Sequence, residues 1–190
     1  MSRDFFISLR TTAVLWVLTV VLYPLLIWGV GQVLFPTQAN GSVITNAQGE
    51  VIGSTLIGQG FSSDIYFLSR PSAIDYSQGE KAAPTGLSGA SNLAPSNPDL
   101  IEGLQQNAAA LQQEGMQPTA DLIYSSGSGL DPHISPEAAQ AQIARVAAAR
   151  GVDAATLQGL IENHTEGRFL GIFGEPGVNV LALNIALDEL

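Results

Sequence analysis

"TTAVLWVLTVVLYPLLIWGVGQVLF", residues 11–35, carries no charged side chain in 25 positions, and fourteen of them are Leu, Ile, Val or Phe. A helix of that length rises roughly 37 Å, more than the ~30 Å hydrocarbon core of a bilayer. The aliphatic and phenylalanine side chains alone favour insertion by very roughly 4 to 8 kcal/mol, from which Gln32 and Pro24 subtract a little. Pro24 removes one backbone donor and predicts a local irregularity, which membrane helices tolerate. Trp28 and Phe35 are placed to meet the far interface. The stretch therefore reads as a transmembrane helix. A cleaved signal peptide is the rival, with "TQA" at 37–39 as its cleavage site, but the apolar run is about twice the usual length.

Orientation follows from flanking charge. Arg3 and Arg10 precede the helix, and the next basic residue is Arg70. The positive-inside rule puts residues 1–10 in the cytoplasm and the chain after residue 35 outside, as a single-pass protein of the plasma (inner) membrane. Residues 36–190 contain 5 basic and 16 acidic residues, so nucleic acid is excluded as a partner for want of a basic surface. The whole chain carries a net charge of −10 and no cysteine, which removes disulfides, thiol nucleophiles and cysteine-based zinc sites.

Beyond the helix, "FPTQANGS" (35–42) reads as a polar linker, centred on 36–41, leading to one domain over 42–190. "SVITNAQGEVIG" predicts two short strands about a turn at Ala47–Gly49, and "STLIG" and "DIYFL" predict two more. Ser69 to Pro98 is a long loop of Ser, Gly, Ala, Asn and Pro. Asn97 and Pro98 open a helix with Leu100, Ile101, Leu104, Ala108 and Leu111 on one face. "DLIYS" (121–125) predicts a strand. A second helix runs from Ser135-Pro136 through Ile143 and Val146 to Gly151, and Asp153 caps a third that buries Leu157, Leu160 and Ile161. "RFLGIFGEPGVNVLALNIALDEL" predicts two strands across a Gly-Glu-Pro-Gly turn and a terminal helix. Strands at both ends with helices between them predict an α+β domain, placed outside the cytoplasm.

The stretch that invites a chemical reading is "SSGSGLDPHISPEAA" (125–139), with Ser128, Asp131 and His133 close together. A hydrolase triad needs the imidazole to reach serine with one nitrogen and the acid with the other, which three residues of one short loop rarely manage. Position 126 is Ser, so the nucleophile elbow is missing too. The loop is better read as structure: Gly127 and Gly129 permit a tight turn, and Asp131 and His133 tie it by hydrogen bonds. Two histidines, His133 and His164, are too few for a transition-metal site without carboxylates. The one lysine, Lys81, lacks the glycine frame of a phosphate loop. "LSGAS" (87–91) resembles the ABC-transporter signature, but no Walker motif accompanies it. No catalytic residue, metal site or bound cofactor is expected, and ordered Gly/Asn/Pro loops on such a head point to docking.

Six segments in order give that role a family. "STLIGQGF" (54–61), "YFLSRPSA" (66–73), "SGASNLAPSNP" (88–98), "SGSGLDPHISPEAA" (126–139), "RVAAARG" (145–151) and "GEPGVNVLALNIALD" (174–188) closely resemble the C subunit of the Kdp potassium-transporting ATPase. Ala90 and Ala94 stand where that pattern leads one to expect Gly, and Gly177 where it leads one to expect Arg. The resemblance implies a non-catalytic accessory subunit. Its partners would be a channel-like A subunit that conducts K+, a P-type ATPase B subunit that hydrolyses ATP, a small F subunit, and the bilayer. ATP and K+ are then handled by the complex rather than bound here. The resemblance also implies a catalytic-chaperone effect on ATP affinity; from outside the membrane this would have to pass through the helix or the partner subunits. The structural or docking loop candidates are Gln59, Arg70, Ser88, Asn92, Asn97, Gly127, Gly129, Asp131, His133 and Asn179. The competing classes are a membrane-anchored external hydrolase built on Ser128 and His133, and a tethered external binding protein.

Overall fold

A computed structural model describes residues 2–78 and 86–190; Lys81 and the centre of the long loop fall outside the described residues. By its internal contacts the chain forms two compact units, Met1–Ile52 and Gly53–Leu190.

The first unit begins with a helical rod: α1 (Ser2–Trp16), a π turn (Val17–Leu22) and α2 (Tyr23–Leu34). Within Arg3–Leu34 an 18-residue stretch reaches a mean hydropathy of 2.2 and none of that stretch is buried, so this helix is long and apolar enough to cross a membrane. The π turn answers the question raised by Pro24. A proline ring collides with the carbonyl four residues earlier and offers no N–H. Widening the preceding turn avoids the collision: Tyr23 N–H bonds Leu18 O, and the Thr19 hydroxyl bonds Leu15 O at 2.8 Å. The expected linker is ordered, with Pro36 opening a single helical turn, α3 (Pro36–Ala39). The hairpin β1 (Val43–Thr45) and β2 (Val51–Ser54) follows as expected, its turn held by Asn46 Oδ1 accepting from Gln48 and Glu50 N–H.

The second unit is a mixed helix and sheet domain. Its helices are α4 (Pro98–Gln113), α5 (Ala120–Ile123), α6 (Pro136–Gln140), α7 (Ile143–Arg150), α8 (Ala154–Asn163) and α9 (Val180–Asp188). A small antiparallel sheet has the order β3–β5–β4, from His133–Ile134, Gly177–Asn179 and Thr165–Glu166. Its register pairs Ile134 with Val178 and Thr165 with Val178, which centres Val178 in the core. Around it pack Phe67, Leu111, Leu122, Val146, Leu157, Ile161, Leu183 and Leu187. Burying one such side chain contributes about 1.5–3 kcal/mol.

Local signals placed most helix ends. Asn97 caps α4 by accepting from Asp99 N–H, Ser135 caps α6 through Ala138 N–H, and Gly151 ends α7 at φ 68°. Asp153 precedes α8 with its backbone carbonyl, not its side chain, taking the first N–H groups. Five expectations need correction. "DLIYS" is a helical turn, α5, because Leu122 must face the core while Ile123 O accepts from Asn107. The helix expected from 135 to 151 breaks at Ala141–Gln142 into α6 and α7. "STLIG" contributes only the end of β2 and an isolated bridge from Ser54 to Ile57. "RFLGIF" is a tight turn closed by a Phe169–Phe173 bridge, and the strand preceding the terminal segment is Thr165–Glu166 instead.

"DIYFL" also forms no strand, and its correction exposes the central feature of the domain. Residues 64–68 run without a neighbouring strand, yet each of their carbonyls is taken by a side chain. Arg145 donates to Asp64 O and Tyr66 O (2.8 Å each), and Arg150 to Ile65 O (2.7 Å). Asn184 both accepts Phe67 N–H (2.9 Å) and donates to Phe67 O (3.0 Å). Gln142 does the same for Leu68, at 2.7 and 3.2 Å. Both amides are fully or almost fully buried, so each replaces a strand's ladder bond pair in a dry environment. The break at Gln142 belongs to this arrangement, since the residue sits at the α6–α7 junction and sends its amide sideways. Burial pulls Arg145 below its ordinary pKa, opposed by the charge of Asp64. Replacing Asn184 by Leu leaves the Phe67 N–H and C=O buried without partners. Urea unfolding should then register a loss of about 2–6 kcal/mol, at about 1–3 kcal/mol for each of the two orphaned groups; a loss below about 1 kcal/mol would show that the clamp is idle.

Candidate functional site

The loop 126–131 is where the sequence concentrates its polar signals, and the structure makes it a hub between three other loops. Ser126 N–H bonds Pro71 O, and the Ser72 hydroxyl bonds Gly129 O at 2.8 Å. Gly89 N–H and the Ser88 hydroxyl both bond Ser128 O, at 2.8 and 3.0 Å. Gly58 N–H bonds Leu130 O at 2.8 Å. Two glycines are demanded by these approaches. A Cβ on Gly129, at φ 69°, would lie 2.5 Å from both Gly89 O and Ile74 Cγ1. One on Gly58 would lie 2.5 Å from Asp131 O and 2.6 Å from the ring of Tyr76. Gly127 shares neither constraint: its φ is not positive and nothing lies near its missing Cβ.

The triad reading fails on geometry. The Ser128 hydroxyl accepts Leu130 N–H at 3.1 Å. Asp131 Oδ1 accepts His133 N–H from the backbone at 3.0 Å, and its other oxygen takes Arg70 Nη1 at 3.1 Å. The imidazole of His133 faces two carboxylates, Asp131 at 3.9 Å and Glu166 at 3.5 Å, and not Ser128. Arg70 also stands 3.8 Å from Asp121, whose other oxygen accepts Ser135 N–H at 2.8 Å. These charges border a polar cavity of about 270 Å³ lined by Arg70, Asp121, Asp131, His133, Glu166 and Glu175. With Arg70 held between two carboxylates, the arrangement is an ion-pair network joining the loop to the sheet.

The other candidates are placed as follows. Gln59 O accepts from the Ser69 hydroxyl, and the Gln59 side chain lies against Gly53. Asn179 is almost fully buried; it caps α9 through Ala182 N–H and donates to Thr55 O at 2.8 Å. Asn97 caps α4. Asn92 is exposed at φ 53° and donates to Ala90 O at 3.2 Å. Arg70, Asp131, Gly129 and His133 thus come together, while Asn92, Asn97 and Asn179 serve separate places. Sequence reading missed Gln142, Arg145, Arg150 and Asn184. Its one available signal was a polar residue at an apolar-face position, in "AAQAQIARV" and "LALNIALD".

Tyr76 completes the hub from beneath. Its hydroxyl donates to Arg70 O at 2.7 Å, and burial pushes its phenol up to about 12 from an ordinary 10.0. A folded-state value above the unfolded one means that this contribution to stability is full below pH 10 and is lost as pH rises through about 12. Tyr76→Phe should flatten that alkaline decline in urea midpoints measured across this window; an unchanged slope would assign the decline to another group. Separately, Gly129→Ala should cost about 2–4 kcal/mol through left-handed strain and overpacking. Ser128→Ala removes one exposed hydrogen bond and should cost less than about 1 kcal/mol. The reverse ranking in the same unfolding assay would return Ser128 to a chemical role.

Comparison with known proteins supplies the family. Residues 5–189 match the family model described as K+-transporting ATPase, c chain. A potassium-transporting ATPase KdpC subunit of Synechocystis is 65% identical over 100% of both chains. A KdpC subunit 2 of Nostoc is 60% identical, covering 98% of this chain and 94% of its own. The KdpC subunit of Geobacter sulfurreducens is 51% identical over 89% of this chain and 88% of its own. With the match running from the apolar helix to the end of α9, this chain belongs to the family of K+-transporting ATPase c chains.

Proposed function

We propose that the chain is a non-catalytic accessory subunit of an ATP-driven potassium import complex, anchored by one membrane helix. The observation that carries this is family membership over essentially the whole length, at 65% identity to a named KdpC subunit. The architecture is consistent with it. The most apolar stretch of the rod Arg3–Leu34 buries none of its residues, as in a helix that awaits lipid or partner helices. Arg3 and Arg10 at its start, with no basic residue again until Arg70, favour a cytoplasmic N-terminus and an external domain. Potassium conduction and ATP hydrolysis then reside in other chains: a channel-like subunit, a P-type ATPase subunit and a small third chain. Neither ATP nor K+ is bound by this subunit, and an influence on ATP affinity would be transmitted through the helix or those partners. The hydrolase reading has no support in the positions of Ser128 and His133.

A tagged chain in a host lacking its own copy tests both parts. Intact cells are divided, one half is treated with external protease, and the membranes of both are solubilised for affinity purification. Untreated cells should yield the chain together with the other ATPase chains, and protease should trim the 53–190 domain from outside. Recovery of the chain alone would overturn the subunit assignment, and protection until lysis would reverse the orientation.

A further inference from the structure

The turn between β4 and β5 presents four large apolar side chains to solvent: Phe169, Leu170, Ile172 and Phe173 are 61–74% exposed. Clustered exposure of this kind marks an interaction surface, whereas apolar residues scattered singly need no account. The tip is built and braced. Phe169 N–H bonds Phe173 O at 2.8 Å, Phe173 N–H returns to Phe169 O at 3.0 Å, and Gly171 and Ile172 N–H bond Arg168 O and Phe169 O. At its base Arg168 pairs with Glu175 at 2.6 Å.

We infer that this tip is a second membrane contact, inserting its four side chains at the headgroup and acyl-chain boundary. Three observations select lipid. Four backbone N–H groups of the tip, those of residues 169, 171, 172 and 173, are satisfied within the turn, which meets in part the condition for entering a medium that offers no partners. A protein groove would impose no such condition. From Phe169 to Gly174 there is no charged or hydrogen-bonding side chain by which a protein partner could be specified, and the flanking charges neutralise each other. A second copy is disfavoured because residues 53–190 carry five basic against fifteen acidic residues, so two such domains repel. The inference rests on the reading of Arg3–Leu34 as membrane-spanning. Given that, residues 35–52, folded as α3 and most of the β1–β2 hairpin, span less than the ~60 Å of a fully extended chain, which keeps the domain within reach of the surface. A tether also raises the effective concentration of a weak second contact.

The absence of native cysteine makes the test clean. The full chain bearing Leu170→Cys, labelled with an environment-sensitive fluorophore, is reconstituted in phosphatidylcholine vesicles carrying bromine near the headgroup end of the acyl chains. Gln112→Cys, at an exposed site on α4, is the control. The label at 170 should shift to the blue and lose emission to the brominated lipid, while that at 112 does neither. Adding Phe169→Asp and Phe173→Asp, both at exposed positions that the fold does not need buried, should abolish the difference. If Trp16 and Trp28 are quenched but the label at 170 behaves like that at 112, the tip stays in water. The proposal is then overturned and the patch belongs to a protein partner. If the tryptophans also escape quenching, the membrane-spanning reading fails, and this inference with it. Quenching at 170 that survives the double Asp substitution would show that the fluorophore, and not the tip, drives insertion.

Discussion

A five-residue stretch with no strand beside it sets the plan of the folded domain. Segment 64–68 brings Phe67 into the centre of the core, and its peptide groups must be bonded once water is excluded. Four side chains do what a neighbouring strand would do: Gln142 and Asn184 each bond both groups of one peptide residue, and Arg145 and Arg150 take the carbonyls before them. Much else follows. The kink between α6 and α7 lets the Gln142 amide turn inward, and α9 must run where Asn184 reaches Phe67. Arg150 ties the C-terminal turn as well, through Leu187 O and the carboxylate of Asp188, while stacking 4.9 Å over the ring of Tyr66.

That clamp explains how a domain with a three-stranded sheet of two- and three-residue strands holds together. Backbone ladders are short, and side chain to backbone bonds take their place, both around 64–68 and in the hub at 126–131. The hub uses hydroxyls and glycine N–H groups where the clamp uses amides and guanidinium groups. Gly58 and Gly129 permit the close approaches, and Tyr76 and Arg70 fill the space beneath. Residues that suggest catalysis in the sequence are thereby consumed as struts: Ser128 caps its own turn, and Asp131 bonds a backbone N–H and a guanidinium. A rigid head of this sort suits a subunit whose task is to be held against others.

The apolar helix satisfies its backbone in a different way. A helix satisfies its backbone internally and so needs nothing from lipid, except where Pro24 interrupts the pattern. The π turn at Val17–Leu22 absorbs that interruption without ending the helix. The same logic recurs in part at the Phe169–Phe173 turn, where four backbone N–H groups bond within the turn while its large side chains face outward.

Sequence alone determined whatever depends on near neighbours or on composition. The apolar helix needed only an uncharged run, and the caps at Asn97, Ser135 and Gly151 needed only residues within a turn of each other. Six ordered motifs were enough for the family. The strands were legible where a turn pinned them, in the 43–54 hairpin, and were misjudged where β-branched or aromatic content was the sole signal, at 64–68 and 121–125. In the candidate site, Asp131, His133 and Gly129 were found because they share one loop, but Arg70 with Asp121, and Tyr76 with Gly58, meet only through the fold. Tertiary structure alone decided that Gln142 and Asn184 should replace a β-ladder, since Asn184 bonds a residue 117 positions away and Gln142 one 74 away. No local rule reaches that far: a buried amide reads as an anomaly until the peptide it satisfies is brought beside it.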